Sequence, residues 1–105
     1  IKELEKVKIL RYENGGKYKW HTDCGAKETS TRKLTAVIQL SDETKYEGGD
    51  LEFGITDDTG EKNYTAPRTR GSIIIFPSFL SHRVTPILSG KRYSLITWMN
   101  GDCFV

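Results

Sequence analysis

The sequence predicts an all-β domain: two sheets packed as a jelly roll of about eight short strands. Three observations predict it. Short runs with alternating apolar and polar residues, or rich in β-branched ones, recur along the chain between Gly-, Asp- and Pro-containing turns. No stretch carries a convincing amphipathic helical period. At 105 residues the chain can bury one core, and eight strands in two sheets would close most of its edges.

Taken in order, residues 1–5 (IKELE) fit the last turn of a helix, and Val7 to Tyr12 a first strand. Asn14-Gly15-Gly16 is a turn, because Gly accepts positive φ without a Cβ penalty. Lys17 to His21 (KYKWH) follows as a strand of alternating lysines and aromatics. The polar stretch 24–32 has no period and is expected to be a loop over the residues before it, mobile when empty and ordering over substrate. Leu34 to Leu40 is β-branched-rich, with Leu34, Ala36, Ile38 and Leu40 on one face and Thr35, Val37 and Gln39 on the other. SDETKYEGG reads as a long turn, Asp50 to Ile55 as a strand, and TDDTGEKN as a turn before an extended piece near Tyr64. Gly71 to Pro77 (GSIIIFP) is a continuous apolar run, expected to be buried on both faces. His82 to Ile87 and Arg92 to Met99 are the last two strands, with residues 88–91 as the turn between them.

Charge excludes some functions. Sixteen Lys and Arg against fourteen Asp and Glu leave +2, and the basic residues are scattered among acids, which does not suggest a nucleic-acid binder. Cys24 and Cys103 match no CxxC spacing; a disulfide between them and free thiols in a reducing cytoplasm fit equally well. No run approaches the ~20 apolar residues of a membrane span. The sequence is silent on oligomeric state.

Chemistry concentrates around His21-Thr22-Asp23. Two residues apart in extended chain, the imidazole and the carboxylate point the same way. The only other histidine, His82, opens HRVTPI after the apolar run. Two His and one carboxylate with open positions are the ligand set of non-haem Fe(II) oxygenases. On the last strand, period two places Arg92, Ser94, Ile96 and Trp98 on one face. If Ile96 and Trp98 fill the core, Arg92 points inward too, where an unpaired charge is heavily penalised. Nothing near it in sequence supplies an anion, so a ligand carboxylate is the expected partner, with Ser94 assisting.

The order Tyr12, Gly15, Tyr18, His21-x-Asp23, Gly48-Gly49-x-Leu51, Phe76-Pro77, His82-x-Val84, Gly90-x-Arg92-Tyr93-Ser94 and Trp98 resembles the Fe(II)/2-oxoglutarate dioxygenases. Within them it is most similar to the prolyl 4-hydroxylase branch, over nearly the whole chain. The resemblance implies a double-stranded β-helix of cupin-like type, with residues 1–105 as a single catalytic domain whose usual N-terminal helices are missing or cut to IKELE. It implies that His21, Asp23 and His82 hold Fe(II), and that Arg92, Tyr12 and Ser94 bind 2-oxoglutarate. Gln39 falls where some relatives carry a cosubstrate-contacting tyrosine. The implied reaction consumes O2 and 2-oxoglutarate, releases succinate and CO2, and hydroxylates a substrate C–H, with ascorbate as an accessory. The implied substrate is a prolyl residue in a peptide or protein. Asp23 argues against a halogenase, which needs that carboxylate replaced.

Two rival readings accompany this one. A hydroxylase of a free amino acid or other small metabolite would use the same site, and a non-catalytic cupin-like binding domain would keep only the shape. An intact triad plus Arg92 speaks against the second. Trp20 and Tyr18 read first as packing residues, Cys24 as a plain loop cysteine, and Lys17 and Lys19 as a solvated face.

Overall fold

Ten strands, all paired antiparallel, form two sheets in the computed structural model, which describes residues 3–23, 31–57 and 60–101. This is the expected all-β jelly roll, in more strands than the sequence suggested. In chain order they are β1 (Glu3–Leu4), β2 (Lys8–Glu13), β3 (Tyr18–His21), β4 (Arg32–Gln39), β5 (Tyr46–Gly48), β6 (Leu51–Asp57), β7 (Gly60–Thr65), β8 (Ile73–Pro77), β9 (His82–Val84) and β10 (Ile87–Asn100). Among the described residues no helix is long and apolar enough to cross a membrane.

The larger sheet is organised on β10. Strand β2 flanks it on one side and β4 on the other, with β8 beyond β4; β1 and β5 pair with its two ends. Register sets the inward rows: Arg92 lies opposite Tyr12, Ser94 between Leu10 and Gln39, and Trp98 opposite Thr35. The smaller sheet runs β3-β9-β6-β7 and brings His21 opposite His82 and Phe53 opposite His82 on its other side. Between the sheets the edge of Phe53 meets Phe76, centroids 4.9 Å apart, and Tyr12, Val37, Tyr46, Leu51, Val84 and Ile87 complete the core. Each such large side chain stabilises the fold by about 1.5–3 kcal/mol when fully buried.

Several expectations are corrected. IKELE is not the end of a helix: Glu3 and Leu4 pair with Asn100 and Met99, and Glu5 binds Arg32 at 2.9 Å. Residues 88–91 are not a turn, because β10 runs unbroken through them. Gly90 there serves close approach: at φ 75° its missing Cβ would sit 2.2 Å from the Lys45 carbonyl oxygen on the neighbouring chain. The long turn at 41–49 holds a 3-10 turn, Glu43–Lys45, capped by Asp42, and the strand β5 with its buried Tyr46. Of the expected loop at 24–32, residues 24–30 lie outside the described residues, and Arg32 already belongs to β4.

The apolar run before Pro77 is not buried on both faces. Ile73 and Ile75 are 62% and 58% exposed, whereas Phe76 points into the core. Strand β8 is an edge strand pairing only with β4, and no described residue covers the outward side of this sheet at these positions. Leu4 and Ile9 are likewise exposed.

Candidate metal and cosubstrate site

A cavity of about 170 Å³ opens between the sheets, and the residues singled out from the sequence meet in it. His21 enters from the end of β3, His82 from the start of β9, and Asp23 from just past β3. The imidazole Nδ1 of His21 donates to the Lys19 carbonyl at 2.7 Å, and that of His82 to the Leu80 carbonyl at 2.9 Å. A carbonyl can only accept, so each neutral ring carries its proton on Nδ1 and a lone pair on Nε2. Both Nε2 atoms face one oxygen, Asp23 Oδ1, at 3.4 and 3.5 Å.

The other carboxylate oxygen is held from behind. Thr35 Oγ1 donates to Asp23 Oδ2 at 2.7 Å, and Trp98 Nε1 donates to it at 3.0 Å. Thr35 also shares a 2.9 Å hydrogen bond with Ser78 Oγ, and the Ser78 carbonyl accepts from the Asp23 amide at 2.8 Å. Thr35 and Ser78 are both 0% exposed. These contacts commit Oδ2 to the protein and leave Oδ1 to an inward ligand, the supporting arrangement that fixes metal-binding carboxylates. Trp98 is itself fixed, with the Arg32 guanidinium 3.8 Å from its ring centroid and Lys8 Nζ at 5.2 Å.

Electrostatics agree with a cation site. Burial pushes the Asp23 carboxyl up, but the neighbouring imidazoles of His21 and His82 and the donors of Thr35 and Trp98 outweigh it and hold the group well below the usual carboxylate range. Burial pushes His21 down, yet the Asp23 carboxylate and the Lys19 carbonyl raise it overall. A buried carboxylate kept ionised beside two imidazole lone pairs offers the charge and the donor atoms that a divalent cation takes. Two nitrogens and one oxygen, all within 4.8 Å of one another, fit a two-histidine, one-carboxylate metal site with open positions.

Arg92 lies at the other end of the same cavity, 1% exposed. Its Nη2 donates to Gln39 Oε1 at 3.0 Å, and Gln39 Nε2 donates to the Pro67 carbonyl at 3.1 Å. Arg92 Nε is buried with no partner. Burial lowers its pKa, the rings of Tyr12 and Tyr46 stand beside it, and no described carboxylate pairs with it. An arginine stays charged under such conditions, so an anion is missing from the protein side. Gly49 makes room for the stem: at φ 64° its missing Cβ would lie 3.2 Å from Arg92 Cδ. Ser94 is 1% exposed and Tyr12 8%, both lining the cavity; burial raises the Tyr12 pKa and keeps it a phenol.

Six of the seven residues named from the sequence therefore line one cavity, and the seventh, Gln39, is hydrogen-bonded to Arg92. Gln39 differs from expectation in what it holds: its amide is spent on Arg92 and Pro67. Sequence reasoning missed Thr35, Ser78 and Tyr46, and took Trp98 for core packing alone. The signal for Thr35 was its sharing a strand face with Gln39, two turns of the pleat away.

An all-β double sheet with an inward His-Asp-His cluster and an unpaired inward arginine defines a non-haem metal-dependent oxygenase type of site. Residues 7–100 match the sequence profile of the 2OG-Fe(II) oxygenase superfamily. The chain belongs to the 2OG-Fe(II) oxygenase superfamily. Among its relatives, a PKHD-type hydroxylase of Synechococcus sp. strain CC9605 is 33% identical over 99 residues, which are 94% of this chain and 43% of that protein. The chain thus spans less than half the length of this relative. A prolyl-4-hydroxylase from Pseudomonas putida shares the fold with TM-score 0.78 at 24% identity, over 94% of this chain and 53% of the other. So does a Trichoplax adhaerens prolyl hydroxylase, solved with a hypoxia inducible factor oxygen degradation domain peptide fragment, with TM-score 0.75 at 19% identity, over 93% and 44%.

Proposed function

We propose that this chain is the catalytic core of an Fe(II)- and 2-oxoglutarate-dependent hydroxylase acting on a prolyl residue of a peptide or protein. The observation that carries the reading is one cavity holding two convergent Nε2 atoms, a free Asp23 Oδ1 and the unpartnered Nε of Arg92. His21, Asp23 and His82 would hold the iron. Arg92 would bind the distal carboxylate of 2-oxoglutarate, with the Tyr12 phenol and the Ser94 hydroxyl as further donors. Bound iron and keto acid would supply the O2 activation that places one oxygen atom on the substrate C–H and the other in succinate, with loss of CO2. The protein's own contribution is orientation and dryness: Thr35 and Trp98 fix the carboxylate, while Val37, Leu51, Val84 and Ile96 line the space with apolar surface. The peptide substrate follows the neighbours that are prolyl hydroxylases, one of them solved with a peptide.

The test is incubation with Fe(II), 2-oxoglutarate, O2 and ascorbate, the last to keep the iron ferrous, against proline-containing peptides. Succinate formed in step with a peptide mass gain of one oxygen on proline is the expected result. Succinate formation enhanced only by free amino acids or other small metabolites would replace the peptide reading.

Gln39 gives a sharper probe of the cosubstrate end. Gln39→Glu puts a carboxylate on Arg92 and an acceptor against the Pro67 carbonyl. It is expected to weaken 2-oxoglutarate binding by about tenfold to a hundredfold, the worth of a hydrogen bond to a charged group. Metal affinity, measured without the keto acid, should stay within about twofold, since charges that far from the triad act weakly through a screened medium. Unchanged 2-oxoglutarate affinity would mean that Arg92 does not bind the cosubstrate.

A further inference from the structure

The inward row of β2 is Lys8, Leu10 and Tyr12, and all three line the metal cavity. Tyr12 stands opposite Arg92 at the cosubstrate end, Leu10 opposite Ser94, and Lys8 opposite Ile96. Two residues further along β10, Trp98 donates to Asp23. Lys8 Nζ lies 5.2 Å from the Trp98 ring centroid, so one indole separates its ammonium from the triad's carboxylate. Lys8 is exposed, which places it where the metal end of the cavity meets solvent.

This ammonium has no ion pair among the described residues. Glu5 feels its charge, but both Glu5 oxygens are taken. Arg32 donates to them at 2.9 and 3.1 Å, and Asn100 to one of them at 3.2 Å. Arg32 also stands over the same indole, 3.8 Å from its centroid. Around Trp98 two cations thus share one carboxylate, and one positive charge is left over. Contact with a ring face uses none of the three N–H donors of a lysine, so they remain free for an anion. Counting charge in the loaded cavity gives the same answer. The two positive charges of Fe(II) and the one of Arg92 would balance the one negative charge of Asp23 and the two of 2-oxoglutarate. Lys8 would then carry the uncompensated charge among the lining residues.

We propose that Lys8 determines specificity by binding a carboxylate of the substrate at the metal end of the cavity. The proposal rests on the hydroxylase reading of this cavity and adds a charge requirement to it. A substrate with a prolyl ring can offer that carboxylate in two ways. One is an acidic side chain beside the proline, the other the free α-carboxylate of a terminal proline.

The test is equilibrium binding to the chain loaded with Co(II) and 2-oxoglutarate, read by the anisotropy of N-terminally labelled peptides at low salt. One pair of peptides carries an internal proline next to Glu or next to Gln. A second pair ends in proline, with a free carboxylate or an amide. In one pair the carboxylate form is expected to bind about two- to fivefold tighter, the worth of an exposed ion pair. The gap should close as salt rises, and the responding pair names the source of the carboxylate. Lys8→Met should abolish the preference, and Lys8→Glu should reverse it. Three results overturn the proposal: no preference in either pair, a preference that survives in both variants, or a loss of 2-oxoglutarate affinity in Lys8→Met as large as its loss of peptide affinity. Carboxylate preference without prolyl hydroxylation by the Fe(II)-loaded chain supports the role of Lys8 and removes the prolyl reading. Prolyl hydroxylation without the preference does the reverse.

Discussion

Asp23→Ala is expected to lower divalent-metal affinity by more than about a hundredfold, beyond the tenfold to hundredfold typical of losing a group that merely supports a ligand. Among the described residues, Asp23 supplies the only anion facing the two Nε2 atoms. Removing it leaves two neutral imidazoles and strands the donors of Thr35 and Trp98, which are 0% and 8% exposed. Each stranded buried donor costs about 1–3 kcal/mol, so the alanine variant should also be less stable. Asp23→Asn separates the two effects, because its amide oxygen can still accept from Thr35 or Trp98 while the charge is gone. Isothermal titration with Co(II) or anaerobic Fe(II), beside thermal melting, reads both. Wild-type metal affinity in either variant would remove Asp23 from the metal site.

Arg92 is expected to show binding and stability moving in opposite directions. Its guanidinium is buried without a carboxylate among the described residues, and none of them partners its Nε. Losing one member of a buried ion pair costs about 3–5 kcal/mol, so Arg92→Met should weaken 2-oxoglutarate binding by a factor on the order of several hundred. In the ligand-free protein no pair exists to lose, and an apolar replacement of similar length can stabilise by about 1–4 kcal/mol. Arg92→Lys keeps the charge without the planar fork and should fall between wild type and Arg92→Met in binding. Titration of the Co(II)-loaded protein with 2-oxoglutarate, and melting without it, give the two numbers. Unchanged cosubstrate affinity in Arg92→Met would show that another cation binds the acid.

The parts of this molecule legible in the sequence are those set by period two within one strand. His21 with Asp23, and Arg92 with Ser94 and Trp98, share a direction because alternation dictates it. Their meeting across two sheets depends on register, which no single strand encodes; order along the chain hinted at it only through resemblance. Strand β4 shows the limit. Its two faces were separable, yet the more apolar one, with Leu34, Ala36 and Ile38, is half-buried outside, while Thr35, Val37 and Gln39 are buried. The inner face is polar because it serves Asp23 and Arg92. The same limit explains Ile73 and Ile75: hydrophobicity was visible, but what stands over a strand is a tertiary fact. Strand β5 was hidden for another reason. Three residues that follow a 3-10 turn and end on the first of two glycines carry no period to read.

Trp98 and Trp20, the only two tryptophans, have a photophysical consequence. The indole of Trp98 shares a proton with the carboxylate of the triad and lies under the Arg32 guanidinium, sheltered from solvent. That of Trp20 lies at the wet rim under Arg83. Their excited states therefore sit in different fields, and charge arriving at Asp23 would shift the sheltered one. The protein carries its own pair of emission colours, a sheltered one that would report the metal and a solvated one that would serve as its internal reference. Replacing either indole by phenylalanine isolates the other signal.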